Sequence, residues 1–159
     1  MANNRAKELH NRIQLLQRRL EELLASPHIA FDTRCRSSLP ASPGIYRIFD
    51  SSNPTHTIRA GRSDAKEGLR QRLYQNHLMG KQEGNLRSQL VRYGVCADLA
   101  SAKNHMRTKL VAQVLIVEND RERAWLEHFM LAVLTQTIPI SDAEQIVGPE
   151  RGERVSQLD

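Results

Sequence analysis

Aromatic residues make up only 4% of this 159-residue chain. That supply is too thin to line a carbohydrate or aromatic-ligand pocket. Cysteine is nearly absent: Cys35 and Cys96 stand alone, without a Cys-x-x-Cys pair or a histidine at zinc-finger spacing. This excludes a disulfide framework and a structural zinc site. Long apolar runs are missing as well. The longest, Leu110 to Val117, is broken by Gln113 and falls far short of the ~20 residues that span a bilayer. No membrane association is expected. No apolar run precedes the first charges of the N-terminal MANNRAKELHNRIQ, which speaks against a secretory leader and makes a cytoplasmic location the expectation.

Lysine is scarce too, 5 against 18 arginines in a chain of net charge +5. An arginine bias points to phosphate, whose oxygens the guanidinium fork meets bidentately. The charge is unevenly placed, because residues 142–159 hold five acidic and two basic residues and leave residues 1–141 at +8. A basic body of this kind suits a polyanion, with a solvated surface that happens to be basic as the lesser alternative on charge alone.

The length fits one globular domain with an appended element. Leu9, Ile13, Leu16, Leu20 and Leu23 follow a 4-3-4-3 spacing, which predicts an amphipathic helix over about residues 4–25, closed by Ser26-Pro27. Its seam suits either its own domain or a second copy, so residues 1–26 are read as a possible dimerisation element. Residues 27–42, with Pro27, Pro40 and several serines, read as a connector. Ile45–Phe49, a turn at Asp50–Pro54 and a returning run from Thr55 to Ala60 predict a hairpin. Helices are expected over Glu67–Leu78 and Leu86–Tyr93, with 97–108 ambiguous. Leu110–Val117 reads as a strand, and a helix follows over about 120–134, opened by Asn119 at capping-box distance from Glu122. An acidic tail, 143–159, ends the chain. The fold class is therefore α+β, with a small, mainly antiparallel three-stranded sheet flanked by helices.

Several pieces stand in a telling order: Pro43-Gly44-Ile45-Tyr46, then Arg59-Ala60-Gly61-Arg62-Ser63, then Leu69-Arg70-Gln71-Arg72-Leu73 with Asn76-His77. Beyond the last strand come Leu126-Glu127-His128 and Pro139. Together, over residues 43–142, this resembles the GIY-YIG endonuclease superfamily. Two positions depart from the family pattern. Arg59 stands where a second tyrosine is usual, and Ser141-Asp142 follows the late proline in place of an asparagine.

The resemblance implies a metal-dependent endonuclease that hydrolyses DNA phosphodiester bonds through one divalent ion, Mg²⁺ or Mn²⁺. Such hydrolysis needs an aligned water, an acceptor for its proton and positive charge on the phosphoryl oxygens. By resemblance, Glu127 holds the metal, Tyr46 is the general base or orients the water, and Arg72 clamps the phosphoryl oxygens. His77 matches a family histidine. On an α-helix it lies about 140° from Arg72, nearer Leu69 and Leu73, so a structural role is equally open. Arg59, in place of the second tyrosine, is expected either to contact the scissile phosphate and favour ionised Tyr46 or to be a strand-edge cation. Gly61 reads as a strand-end glycine or as a close approach for nucleic acid.

Arg62, Lys66, Arg70, Lys81 and Arg87 belong to a +5 segment, residues 59–92, and are the candidates for nucleic-acid binding. Two other readings remain: a nuclease-fold protein that binds nucleic acid without cutting it, and a protein that binds a partner through its N-terminal helix.

Overall fold

The computed structural model describes residues 2–134. Pro139, Ser141, Asp142 and the acidic tail lie outside the described residues. Helix α1 (Ala2–Ala25) leads into a two-residue strand β1 (Ile29–Ala30) and a single helical turn α2 (Cys35–Ser38). The hairpin follows as β2 (Gly44–Asp50) and β3 (Thr57–Ser63). A helix α3 starts at Gly68–Arg70 and continues as the π-wound stretch Gln71–Met79. After it come α4 (Leu86–Arg92), α5 (Leu99–Lys109), β4 (Leu110–Ile116) and α6 (Asp120–Val133).

The sheet order is β1-β4-β2-β3, and every pairing is antiparallel. It has four strands where three were expected. The additional one is β1, which lies in the segment read as a connector and pairs Ile29 with Ala112 and Ala30 with Val111. Two residues carry no period-2 signature; the exposed edge of β4 supplies the hydrogen bonds that make them a strand. The α+β class, the antiparallel pairing and the flanking helices are as expected.

Alternation along β2 divides the core in two. Tyr46 and Ile48 face one side, opposite Val114 and Ala112 of β4, and pack against Leu69, Leu73, Leu78, Leu86, Leu90 and Met106. Ile45 faces the other side with Ala60 of β3, under Leu16, Leu20 and Leu23 of α1 and Leu126 and Met130 of α6. The α1 seam therefore splits. Its second half is core, whereas Leu9 and Ile13 are 58% and 48% exposed. Arg12 still reaches α6, its guanidinium 4.4 Å from the centre of the Trp125 ring.

Local sequence explains the element boundaries. The Asn119 side chain accepts from the Glu122 N–H at 2.9 Å and opens α6, as its spacing predicts. Asp98 and Ser101 cap α5 reciprocally, which resolves the ambiguous stretch 97–108. Gly68 is in the left-handed region at φ +64° and lies against the Ala41 carbonyl, where any side chain would collide. A glycine that lowers helix propensity inside α3 is thus what allows α3 to begin there. Both cysteines are free, and burial pushes the Cys35 thiol up to about 11. No helix among the described residues is long and apolar enough to cross a membrane.

Candidate active site

The candidate residues gather at the β3 edge of the sheet and approach it from both faces. Tyr46 comes from one side. Its register partner is Gly61, and a Cβ at that position would lie 2.7 Å from the phenol oxygen. Lack of a side chain at Gly61 therefore lets the Tyr46 ring extend across β3.

Two donors converge on the phenol oxygen. His77 Nε2 lies 2.7 Å from it and Arg72 Nε 3.4 Å. The histidine tautomer follows from its second contact: Leu86 N–H donates to Nδ1 at 3.1 Å, so the ring proton is on Nε2 and is donated to Tyr46. Burial, together with the charges of Arg59 and Arg72, holds His77 well below the usual histidine range. The ring is neutral, in agreement with that bonding pattern. Burial works against the Arg72 charge, but Tyr46, Glu67 and Glu127 outweigh it and raise the guanidinium above its ordinary value.

The π winding explains why Arg72 and His77 share a face. On an α-helix they would lie about 140° apart. A π-turn closes an i to i+5 hydrogen bond and brings residues five apart to within about 50° of one another, on one face of the helix. His77 is thus both a core histidine and the partner of Tyr46, and it also satisfies the first free N–H of α4.

From the other face come Arg62, opposite Ile45 in the register, and Glu127 of α6. Arg62 Nε and Glu127 Oε2 form an ion pair at 3.0 Å, with the side chains 39% and 20% exposed. Glu127 also lies within electrostatic reach of Arg72. The structure thus gathers Tyr46, Arg72 and His77 on one phenol oxygen and pairs Arg62 with Glu127, the charge of Glu127 being felt at Arg72.

Arg59 is placed differently from expectation. It is fully buried although β3 is an edge strand, and its guanidinium hydrogen-bonds Gln89 of α4. That position is beneath the surface, so the side chain is not a strand-edge cation, and its charge is felt at His77. Arg87 is buried and donates to the carbonyls of Leu78 and Met79 at 3.3 and 3.2 Å, capping the end of α3. Arg70 is half-buried and its Nε donates to the Leu39 carbonyl at 2.9 Å. Lys66 and Lys81 are exposed.

Two participants were not among the candidate site residues. Glu67 is exposed, accepts from Asn76 Nδ2 at 3.4 Å and supports the Arg72 charge. Gln89 anchors Arg59. Neither has a spacing signal, since one lies at a helix start and the other reaches a strand 30 residues away. As to metals, no group of three histidine, cysteine or acidic side chains gathers among the described residues. A single part-exposed carboxylate at a basic edge fits an ion such as Mg²⁺, which keeps most of its waters and takes one or two carboxylates from protein.

No family model, no curated protein and no solved structure matches this chain.

Proposed function

We propose that this protein is a metal-dependent endonuclease of the GIY-YIG type that hydrolyses DNA phosphodiester bonds at the β3 edge. One observation carries the reading: a buried tyrosine oxygen receives hydrogen bonds from a neutral histidine and an arginine, and that same arginine is electrostatically linked to a carboxylate on the opposite face. A tyrosine that only fills a core needs one partner for its hydroxyl. Here two donors fill the acceptor sites of the oxygen and leave its own hydrogen free to point toward a third group.

In this reading Tyr46 orients the attacking water through its own O–H or, once that proton has left the phenol oxygen, accepts the proton of the water, with His77 and Arg72 fixing the ring. Arg72 also stabilises the charge that develops on the phosphoryl oxygens. Glu127 would hold the divalent ion, Mg²⁺ or Mn²⁺, which supplies further charge neutralisation there. Tyr46 is itself buried, so a substrate meets it only after side chains at the β3 edge move. Lys66 and Lys81, together with part-exposed Arg62, give the nucleic acid its first contacts. The exposed Leu9 and Ile13 leave the free half of α1 available to a second copy, and a dimer would allow both strands to be cut.

A second reading is favoured by Arg59. Where the family has a tyrosine, this chain has a buried guanidinium bonded to Gln89, an arrangement suited to a fold kept for binding nucleic acid without cutting it. Cleavage of supercoiled plasmid and of a labelled single strand, with Mg²⁺, Mn²⁺ or EDTA, separates the two. Metal-dependent cutting that falls about a hundredfold or more in both Tyr46→Phe and Glu127→Ala is expected. No cutting, with salt-sensitive binding that survives both substitutions, would assign the fold to binding alone.

A further inference from the structure

The carboxylate that the nuclease reading assigns to a metal already has a cation beside it. Arg62 Nε sits 3.0 Å from Glu127 Oε2, and a positive charge at that distance both shares the carboxylate and repels an arriving divalent ion. We propose that Arg62 is a positioning residue that orders the binding events: it holds Glu127 until a substrate phosphate draws its guanidinium away, and the metal binds after the nucleic acid. The inference rests on the nuclease reading and adds a sequence of events to it.

Three observations support the exchange. First, the pair is part-exposed, and ion pairs in such positions are weak enough to be given up for a better partner. A phosphate is one, because it offers the guanidinium two oxygens in matching geometry. Second, the two arginines near Glu127 are held differently. Arg72 is tied to the Tyr46 oxygen, and Tyr46 and Glu67 support its charge. Arg62 is held at its guanidinium by Glu127 and at its backbone by the pairing with Ile45 in the hairpin, so its long side chain, once released from Glu127, can swing without moving the strand. Third, the local charge becomes negative. Arg62 and Glu127 alone are neutral together, and a phosphate joining them makes the group net negative. That is the condition under which a hydrated divalent ion is drawn in.

Mn²⁺ is the probe, its free concentration followed by electron paramagnetic resonance with the full chain. In the absence of nucleic acid, Arg62→Ala and Arg62→Gln are expected to bind Mn²⁺ about three- to tenfold more tightly than the unsubstituted protein. In a Tyr46→Phe background, which limits cutting, a short DNA duplex should tighten Mn²⁺ binding while Arg62 is present and do so less when it is alanine. Far-UV circular dichroism checks the fold, and Arg62→Gln retains much of the side-chain stem should alanine loosen the strand. If both Arg62 variants are folded and bind Mn²⁺ no more tightly, while Glu127→Gln weakens binding, the ordering is overturned and the metal assignment stands. If Glu127→Gln leaves Mn²⁺ affinity unchanged even in the Arg62→Ala protein, both the ordering and the metal assignment fall.

Discussion

Each face of the sheet buries a polar cluster around a residue of β2, and the two clusters use their hydrogen bonds differently. Beneath α1, Arg47 donates from Nε to Gln113 Oε1 at 2.7 Å and from Nη1 to the Pro54 carbonyl at 3.0 Å, with its guanidinium 4.1 Å from the centre of the Phe49 ring. Gln113 in turn donates to the carbonyls of Leu24 and Ser26, at 2.8 and 2.6 Å, where α1 ends. That network finishes on backbone. It closes the hairpin turn and ties the end of α1 to the sheet, work that a buried polar group does for the fold. On the other face Tyr46, His77 and Arg72 finish on one phenol oxygen. The helix that carries His77 and Arg72 departs from α winding to bring them together. A network that ends on backbone reads as architecture, whereas one that gathers two donors on a single phenol oxygen reads as a candidate site.

The comparison is most directly broken on the architectural side. Gln113→Met keeps the side-chain length but removes the acceptor of Arg47 Nε and the donors to Leu24 and Ser26. Leaving that many buried groups unpartnered should cost about 2–4 kcal/mol, read as a lower midpoint in urea. Nucleic-acid binding and cleavage per folded molecule should not change. A Gln113→Met protein that keeps its stability would show that the Arg47 network is not what secures α1. One that loses cleavage in proportion would erase the distinction between the faces.

A pH titration sharpens the other side. Burial and two neighbouring guanidinium groups hold His77 well below the usual histidine range in the folded protein, while in the unfolded chain it titrates near about 6.5. Above that value His77 is neutral in both states and its contribution is fully present. Below it the unfolded chain takes up a proton that the folded protein refuses, so stability is lost as pH falls, by about 1.4 kcal/mol per pH unit until the folded value is reached. His77→Gln removes the titrating ring. The difference between the two proteins' stability-versus-pH curves should be flat above about pH 6.5 and slope below it. A difference that is level from pH 7.5 to 5 would mean that His77 takes up its proton in place, and the tautomer assigned to it would be wrong.

Much of the framework was legible in the residues, and the reasons for the rest are physical. The hairpin, the strand at 110 and the cap at Asn119 followed from period and turn chemistry, whereas the grouping of Tyr46, Arg72, His77 and Glu127 was an implication of the family resemblance. The relation of Arg72 to His77 did not follow, because 100° per residue is the wrong step for a π-wound stretch and nothing in Gln71–Met79 announces one. Nor did the fates of Arg59 and Arg87. A charge count treats every arginine as solvated, but Arg87 meets two helix-end carbonyls and Arg59 meets Gln89, partners known only once the chain is folded. The Arg62–Glu127 pair joins residues far apart in sequence. β1 exists because β4 offers an edge, not because of its own two residues.

That revision of the arginines yields the smallest expected effect and a test of which cations face the nucleic acid. Each exposed lysine or arginine that contacts a phosphate adds about −0.9 to the slope of log binding constant against log salt. The candidates Arg62, Lys66, Arg70, Lys81 and Arg87 would together supply about five contacts. With Arg87 buried, about four remain, for a slope of roughly −3 to −4. Lys81→Ala should make that slope shallower by about one and weaken duplex binding a few-fold at moderate salt. Arg87→Met should leave the slope unchanged and lower stability instead, because its guanidinium serves the Leu78 and Met79 carbonyls. Were Arg87→Met to reduce the slope while the protein stayed fully folded, its guanidinium would have to leave those carbonyls for a phosphate, and the binding surface would extend from the β3 edge to the start of α4.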